Sequence, residues 1–412
     1  MINYQQFTLD NGLNVIVHED LGSQIAVVNI LYKVGSKNEV PGKTGLAHFF
    51  EHLMFGSSKN VPVFDTALER VGGSCNAFTN TDYTNYYITL PAVNLETAFW
   101  LESDRMFQLT LQEKTIETQR KVVIEEYKQR YLNQPYGNVL HLTRGLAYDV
   151  HPYQWPTIGR DIQDIVDYTQ ADVEAFYRTH YRPDNAILVV AGGVKTADVQ
   201  RLAEKWFGEI PAGNIKKADI PREPSQTKKK TKTVYADVPS DALYKVYHVP
   251  GKAEEGFLQA DLITDVLGFG KSSILERQLV QKGHVFSSVE NYVTGTSDPG
   301  LMVFSGKMEK GQTAEQAEEA LDKVVGAFLQ NGFPEQFLEK INNQAEAGLA
   351  YDQIQLIGRA MNLAYFAYLG HPDLYMREFE RKKNIPIDSI MSWAKNILKE
   401  ENSSVIYYKS NN

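Results

Sequence analysis

The 412-residue chain holds 43% hydrophobic and 23% charged residues, globular values that exclude a disordered, fibrous or collagen-like protein. Its length suits two or three domains. With 42 basic against 51 acidic residues the net charge is −9, which argues against nucleic-acid binding, an affinity that rests on neutralising phosphates.

Along the chain, residues 13–18 alternate and residues 27–32 are almost wholly apolar, both strand patterns. A helical pattern follows over 45–56. Residues 76–90, rich in Thr, Tyr and Asn, read as extended structure. Residues 115–132 are charged and periodic, a second helix. Residues 181–193 form a turn feeding a buried strand at 187–191, followed by a helix to Phe207. Pro211, Pro221, Pro224 and Pro239 then punctuate a polar stretch with Lys228, Lys229, Lys230 and Lys232, expected as a solvated linker. Beyond it the pattern restarts: a strand at 243–248, helices at 257–267, 314–330 and 335–349, and a late strand at 403–408. This order predicts α+β architecture, with domains at 1–215 and 240–412 joined by a linker at 216–239.

Cys75 is the single cysteine, so neither an internal disulfide nor a cysteine-rich zinc site is available, and a reducing compartment fits. Residues 1–6 lack the basic and apolar parts of a signal peptide. No apolar run reaches the roughly 18 residues of a membrane span. The expected location is therefore the cytoplasm, with no membrane partner.

The chemistry sits in His48-Phe49-Phe50-Glu51-His52. On a helix His48 and His52 share one face, where their imidazoles can converge on one Zn²⁺. Glu51 lies on nearly the same face and can act as a general base toward a water. Phe49 and Phe50 point elsewhere and anchor the helix. This is the inverted zinc motif HxxEH. A catalytic zinc site needs a third protein ligand, and 115–132 offers Glu125 and Glu126. Glu126 shares a face with Gln119, Val122 and Val123, read as the inward side. Glu125 stacks with Lys121 and precedes Lys128, a solvent-facing pattern. Glu126 is the better ligand. The other histidines have no ligand partner at helical spacing. In 268–273 (GFGKSS), Asp265 stands where a phosphate loop needs its first glycine, so that stretch reads as a helix-end turn.

The pentapeptide, followed some 74 residues later by the stretch ending in Glu126, resembles the pitrilysin/insulinase metallopeptidases, which include the mitochondrial processing peptidase. The likeness extends to 8–13, 34–36, 72–77, 82–84 and 181–185. It implies that His48, His52 and Glu126 bind one Zn²⁺ per chain, that Glu51 is the catalytic base, and that Asn76, Ala77 and Phe78 lie on an edge strand pairing with an extended peptide substrate. It further implies two homologous domains, each a mostly antiparallel sheet packed with helices. These would form half of a clamshell that closes a chamber around short or unfolded peptides.

Two departures stand out. Gln119 replaces a glutamate frequent in the family and leaves a neutral residue to tune the site by hydrogen bonding. In the second half, Leu279 or Val280 and Phe286 or Ser287 occupy the places of an Arg/Tyr pair that resembles transition-state contacts in fully active members. Leu, Val and Phe cannot donate a hydrogen bond to an oxyanion. The resemblance thus implies the zinc-bearing subunit of a heteromeric endopeptidase whose homologous partner supplies Arg and Tyr, or else a homodimer. The alternative is a non-catalytic structural or peptide-binding member of the same fold.

Overall fold

The structure, a computed structural model, describes residues 2–213 and 219–411. Two sheets organise it. The first has six strands, β1 (Gln5–Thr8), β2 (Asn14–Glu19), β3 (Ile25–Tyr32), β4 (Ser74–Thr79), β5 (Thr84–Pro91) and β6 (Ala186–Gly192), in the order β1-β2-β6-β3-β5-β4. The second has five, β7 (Lys230–Ala236), β8 (Ala242–Val249), β9 (Phe286–Val293), β10 (Gly300–Met308) and β11 (Ser403–Ser410), in the order β7-β11-β8-β10-β9. In each sheet one parallel pair, β2–β6 or β7–β11, is joined to antiparallel neighbours. This is the two-domain α+β arrangement expected from the sequence.

The chain forms two compact units, and neither is a continuous block. One comprises Met1–Lys128, Trp155–Ile220 and Leu349–Arg377; the other comprises Gln129–Gln154, Pro221–Gly348 and Glu378–Asn412. The late helix Leu356–Tyr368 thus belongs with the first sheet, where Ala360, Leu363 and Ala364 pack on Ile16, Val27, Leu31 and Val189. Conversely, the early helix Val139–Ala147 belongs with the second sheet. The anticipated boundary at 215/216 lies outside the described residues. Part of the expected linker is a strand: β7 pairs in parallel with β11 from Lys230 to Ala236. Lys229 and Lys230 are there ion-paired, to Glu318 and Asp149 at 2.8 Å each, instead of solvated.

Against the other face of the first sheet lie α1 (Leu46–Leu53), α2 (Phe64–Glu69), α3 (Leu95–Gln108) and α4 (Glu113–Tyr127), within a helical layer that also includes Gln170–His180. Strands β3 and β6 are central and buried on both faces, as their largely apolar runs require; the one polar side chain, Asn29 of β3, is paired with Asn85 of β5. Phe49 and Phe50 are fully buried, with Phe50 stacked on Phe176 at 5.5 Å. Each such ring removed from water contributes about 1.5–3 kcal/mol, so the two anchor α1 to the sheet and turn its polar stripe the opposite way. In the second unit Leu262, Ile263, Val266, Met302, Phe304 and Leu321 form the centre of the core.

Candidate metal centre

The helix α1 opens at Gly45, whose φ of 93° is in the left-handed region. A side chain there would be strained, and its Cβ would lie 2.6 Å from the Ile158 carbonyl oxygen. The preceding loop is pinned: the Tyr168 hydroxyl donates to Thr44 O, and the Thr44 hydroxyl donates to Asp164. Within α1, His48 and His52 face the same way, with ring centroids 4.9 Å apart.

Glu126, in the last turn of α4, faces them. Its Oε1 lies 3.7 Å from His48 Nε2 and its Oε2 lies 3.3 Å from His52 Nε2. Two ligands each about 2.1 Å from one ion at a tetrahedral angle stand about 3.4 Å apart, so the three side chains fit a single zinc-sized cation with open coordination left over. His48, His52 and Glu126 are the one group of three or more potential metal donors among the described residues. Glu125 points away, 57% exposed, with Lys128 3.9 Å from its carboxylate. The face of α4 is narrower than its pattern suggested: Val123 is buried but Val122 is 46% exposed. The inward stripe therefore runs through Ile116, Arg120, Val123 and Tyr127, and Glu126 stands at its margin. Gln119 is half-buried on the same helix, two turns before Glu126.

Glu51 is half-buried beside the triplet. Burial raises its carboxyl above the ordinary range, with Thr79 and His52 pulling the other way and Glu126 adding to the rise. Thr79 is the last residue of β4, the edge strand of its sheet. Asn76, Ala77 and Phe78 lie in β4, in register with Tyr87, Tyr86 and Asn85 of β5. Among the described residues the opposite side of β4 has no strand neighbour, so its main-chain groups are placed to pair with an added strand. α1 packs against β4, which sets that edge next to Glu51.

Three residues beside the site carry no sequence signal. Glu39 sits in a Pro/Gly-containing loop and would be expected in solvent, yet it is buried, its Oε2 accepting from Gly45 N and its Oε1 from Ala47 N, each at 2.8 Å. Arg105 in α3 is buried with Glu102 and reaches Met54 O at 3.4 Å. Thr79 reads as one more β-branched strand residue. Only tertiary packing distinguishes them.

The description "Insulinase (Peptidase family M16)" matches residues 14–148, and "Peptidase M16 inactive domain" matches residues 167–345. Zinc protease PqqE of Helicobacter pylori is 30% identical over 421 aligned positions, covering 98% of this chain and 93% of that protein. The chain belongs to peptidase family M16. A solved M16-like fold, the crystal structure of a protease from Helicobacter pylori, superposes with a TM-score of 0.93 at 29% identity, covering 99% of this chain and all of that one. The beta subunit of the mitochondrial-processing peptidase of Caenorhabditis elegans is 29% identical over 218 positions, 52% of this chain and 46% of that protein. Family membership accounts for the α+β fold. No helix among the described residues is long and apolar enough to cross a membrane.

Proposed function

We propose that this M16 chain is a zinc-dependent endopeptidase for extended or unfolded peptide segments, with His48, His52 and Glu126 as the metal ligands and Glu51 as the general base. The observation that carries the reading is the convergence of both His Nε2 atoms on the two oxygens of Glu126, at 3.7 and 3.3 Å. A bound Zn²⁺ would supply Lewis-acid polarisation of a carbonyl and lower the pKa of a water. The protein supplies the rest. The edge of β4, including Asn76, Ala77 and Phe78, binds the peptide main chain by strand addition, which requires an extended substrate and leaves sequence demands weak. Glu51 takes a proton from the attacking water on its carboxylate and returns it to the leaving amine.

The second half supports a two-chain enzyme. Leu279 and Phe286 are buried in the core of the second unit and Val280 packs against it, so none of the three offers a donor to a developing oxyanion; the hydroxyl of Ser287, the other candidate for the place of the Tyr, donates to Lys307 O at 3.2 Å. One relative is named as a beta subunit, which agrees with a partner chain supplying an Arg and a Tyr. The test is peptide hydrolysis by the purified chain, alone and with a co-encoded homologue, at matched zinc. Activity that rises by about 100-fold or more on mixing supports the division. Full activity of the chain alone overturns it.

A further inference from the structure

α1 is eight residues long, barely two turns, and a helix this short has little stability of its own in water. Its first amides and last carbonyls, which lack partners within the helix, make up about half of its polar backbone. Both ends are met by side chains from elsewhere in the same unit. At the start, the two oxygens of Glu39 accept from Gly45 N and Ala47 N at 2.8 Å each. At the finish, where the backbone amides of Met54, Phe55 and Gly56 already reach Phe50 O, His52 O and Leu53 O, the Tyr86 hydroxyl donates a second bond to Phe50 O at 3.1 Å and Arg105 Nη1 donates to Met54 O at 3.4 Å. Arg105 is itself held by Glu102 and lies over the rings of Tyr86 and Phe64, at 4.6 and 4.8 Å from their centroids. Acceptors at the amino end and donors at the carboxyl end also match the helix dipole.

The helix Phe257–Gly268 of the second unit provides a contrast. It too opens at a glycine in the left-handed region, Gly256 with φ 91°. There the loop carboxylate, Glu254, accepts from Gly251 N at 3.0 Å, within its own loop. The place of a capping contact at Gly256 is taken by packing, since a Cβ there would meet Trp393 at 2.4 Å. The carboxylate cap thus accompanies the helix that carries His48 and His52.

We infer that Glu39, with Tyr86 and Arg105 at the opposite end, acts as an end clamp on α1, a set of positioning residues that fix the spacing of His48 and His52 toward a metal. The inference rests on the zinc reading above. The clamp touches neither metal nor substrate; it acts through the helix backbone on either side of the two histidines. Replacing Glu39 by Gln sets an amide NH₂ against one of the two backbone N–H groups, and Tyr86→Phe removes one hydroxyl while keeping the ring under Arg105.

The test uses the full chain. Zn²⁺ affinity is measured by chelator competition, and the visible d–d spectrum is recorded after Co²⁺ substitution, for wild type, Glu39→Gln and Tyr86→Phe. Thermal melting of the metal-free proteins runs in parallel. The expected result for Glu39→Gln is a Zn²⁺ Kd raised about 10- to 100-fold and an altered Co²⁺ spectrum, with the melt still cooperative. Tyr86→Phe should change both in the same direction by less, and it carries the test if Glu39→Gln does not fold. Wild-type affinity and an unchanged Co²⁺ spectrum in the folded variants, whatever their melting temperature, would overturn the clamp. A wild-type chain that takes up neither metal instead refutes the zinc reading itself, and the titration shows this before any variant is made.

Discussion

The helices α1 and Phe257–Gly268 occupy matching places in two sheets whose strand orders correspond once the extra edge strand β1 is set aside. Each follows the inner strand, β3 or β8, and precedes the edge hairpin, β4–β5 or β9–β10. Each is preceded by Val-Pro-Gly-Lys, at 40–43 and 249–252, and each opens at a left-handed glycine. Counted from that glycine, the positions of His48, Glu51 and His52 are filled in the second helix by Gln259, Leu262 and Ile263. Leu262 and Ile263 are completely buried, whereas Glu51 and His52 are half-buried and polar. The fold forms in the second unit with apolar side chains at two of these positions and a neutral glutamine at the third. The polar triplet in the first unit is therefore an addition to the fold and not a requirement of it, which is the physical reason to assign it chemistry.

That contrast can be broken from either side. The largest effect is expected from Glu51→Gln, which keeps the shape and removes the base: peptide turnover should fall by about 10²- to 10⁴-fold while metal content stays as in wild type. Unaltered turnover would end the general-base assignment. Next, Leu262→Glu puts a carboxylate into the second core where no partner waits, and denaturant unfolding should show a loss of about 3–5 kcal/mol. A neutral outcome would mean that the second helix tolerates what the first displays.

The two units also use carboxylates differently, and acid separates them. Glu318 of the second unit is largely buried, which opposes ionisation, yet Lys229, Lys245 and Tyr407 hold its carboxyl down to about 2. A carboxyl depressed in the folded state contributes stability above its unfolded value near 4.5. That contribution is lost as the pH falls from there through about 2. Melting temperatures measured down this range should drop less in Glu318→Gln than in wild type, and equal slopes would exclude the cluster as the cause. The smallest effect belongs to Glu125→Gln. Its exposed pair with Lys128 is worth less than about 0.5 kcal/mol, so stability, metal content and turnover should all match wild type. Loss of metal in that variant would reverse the choice between the two adjacent glutamates.

Much of this was legible in the chain because the signals are local. His48, Glu51 and His52 share a helical face by spacing alone, and Glu126 is distinguished from Glu125 by its helical neighbours, although Val122 proved to face solvent. The edge position of 76–78 came from resemblance, and the sheet order places it there. What escaped was non-local. Nothing in 349–377 announces that it joins the first unit, because an amphipathic helix such as Leu356–Tyr368 fits any apolar sheet face. Proline and lysine at 211–239 suggested a linker, but Lys230–Ala236 alternates with Thr, Val and Tyr and completes a sheet by pairing with β11, a partner some 170 residues away. Glu39 and Arg105 resemble surface charges until the burial around them is known.

His48, His52 and Glu126 are proposed to hold one metal in the first unit. Elemental analysis of the purified, dialysed chain beside His52→Ala and Glu126→Gln tests this most directly. One zinc per wild-type chain, lost from both variants while their unfolding stays cooperative, is the predicted result. A zinc-free wild type, or zinc that persists in either folded variant, would contradict it.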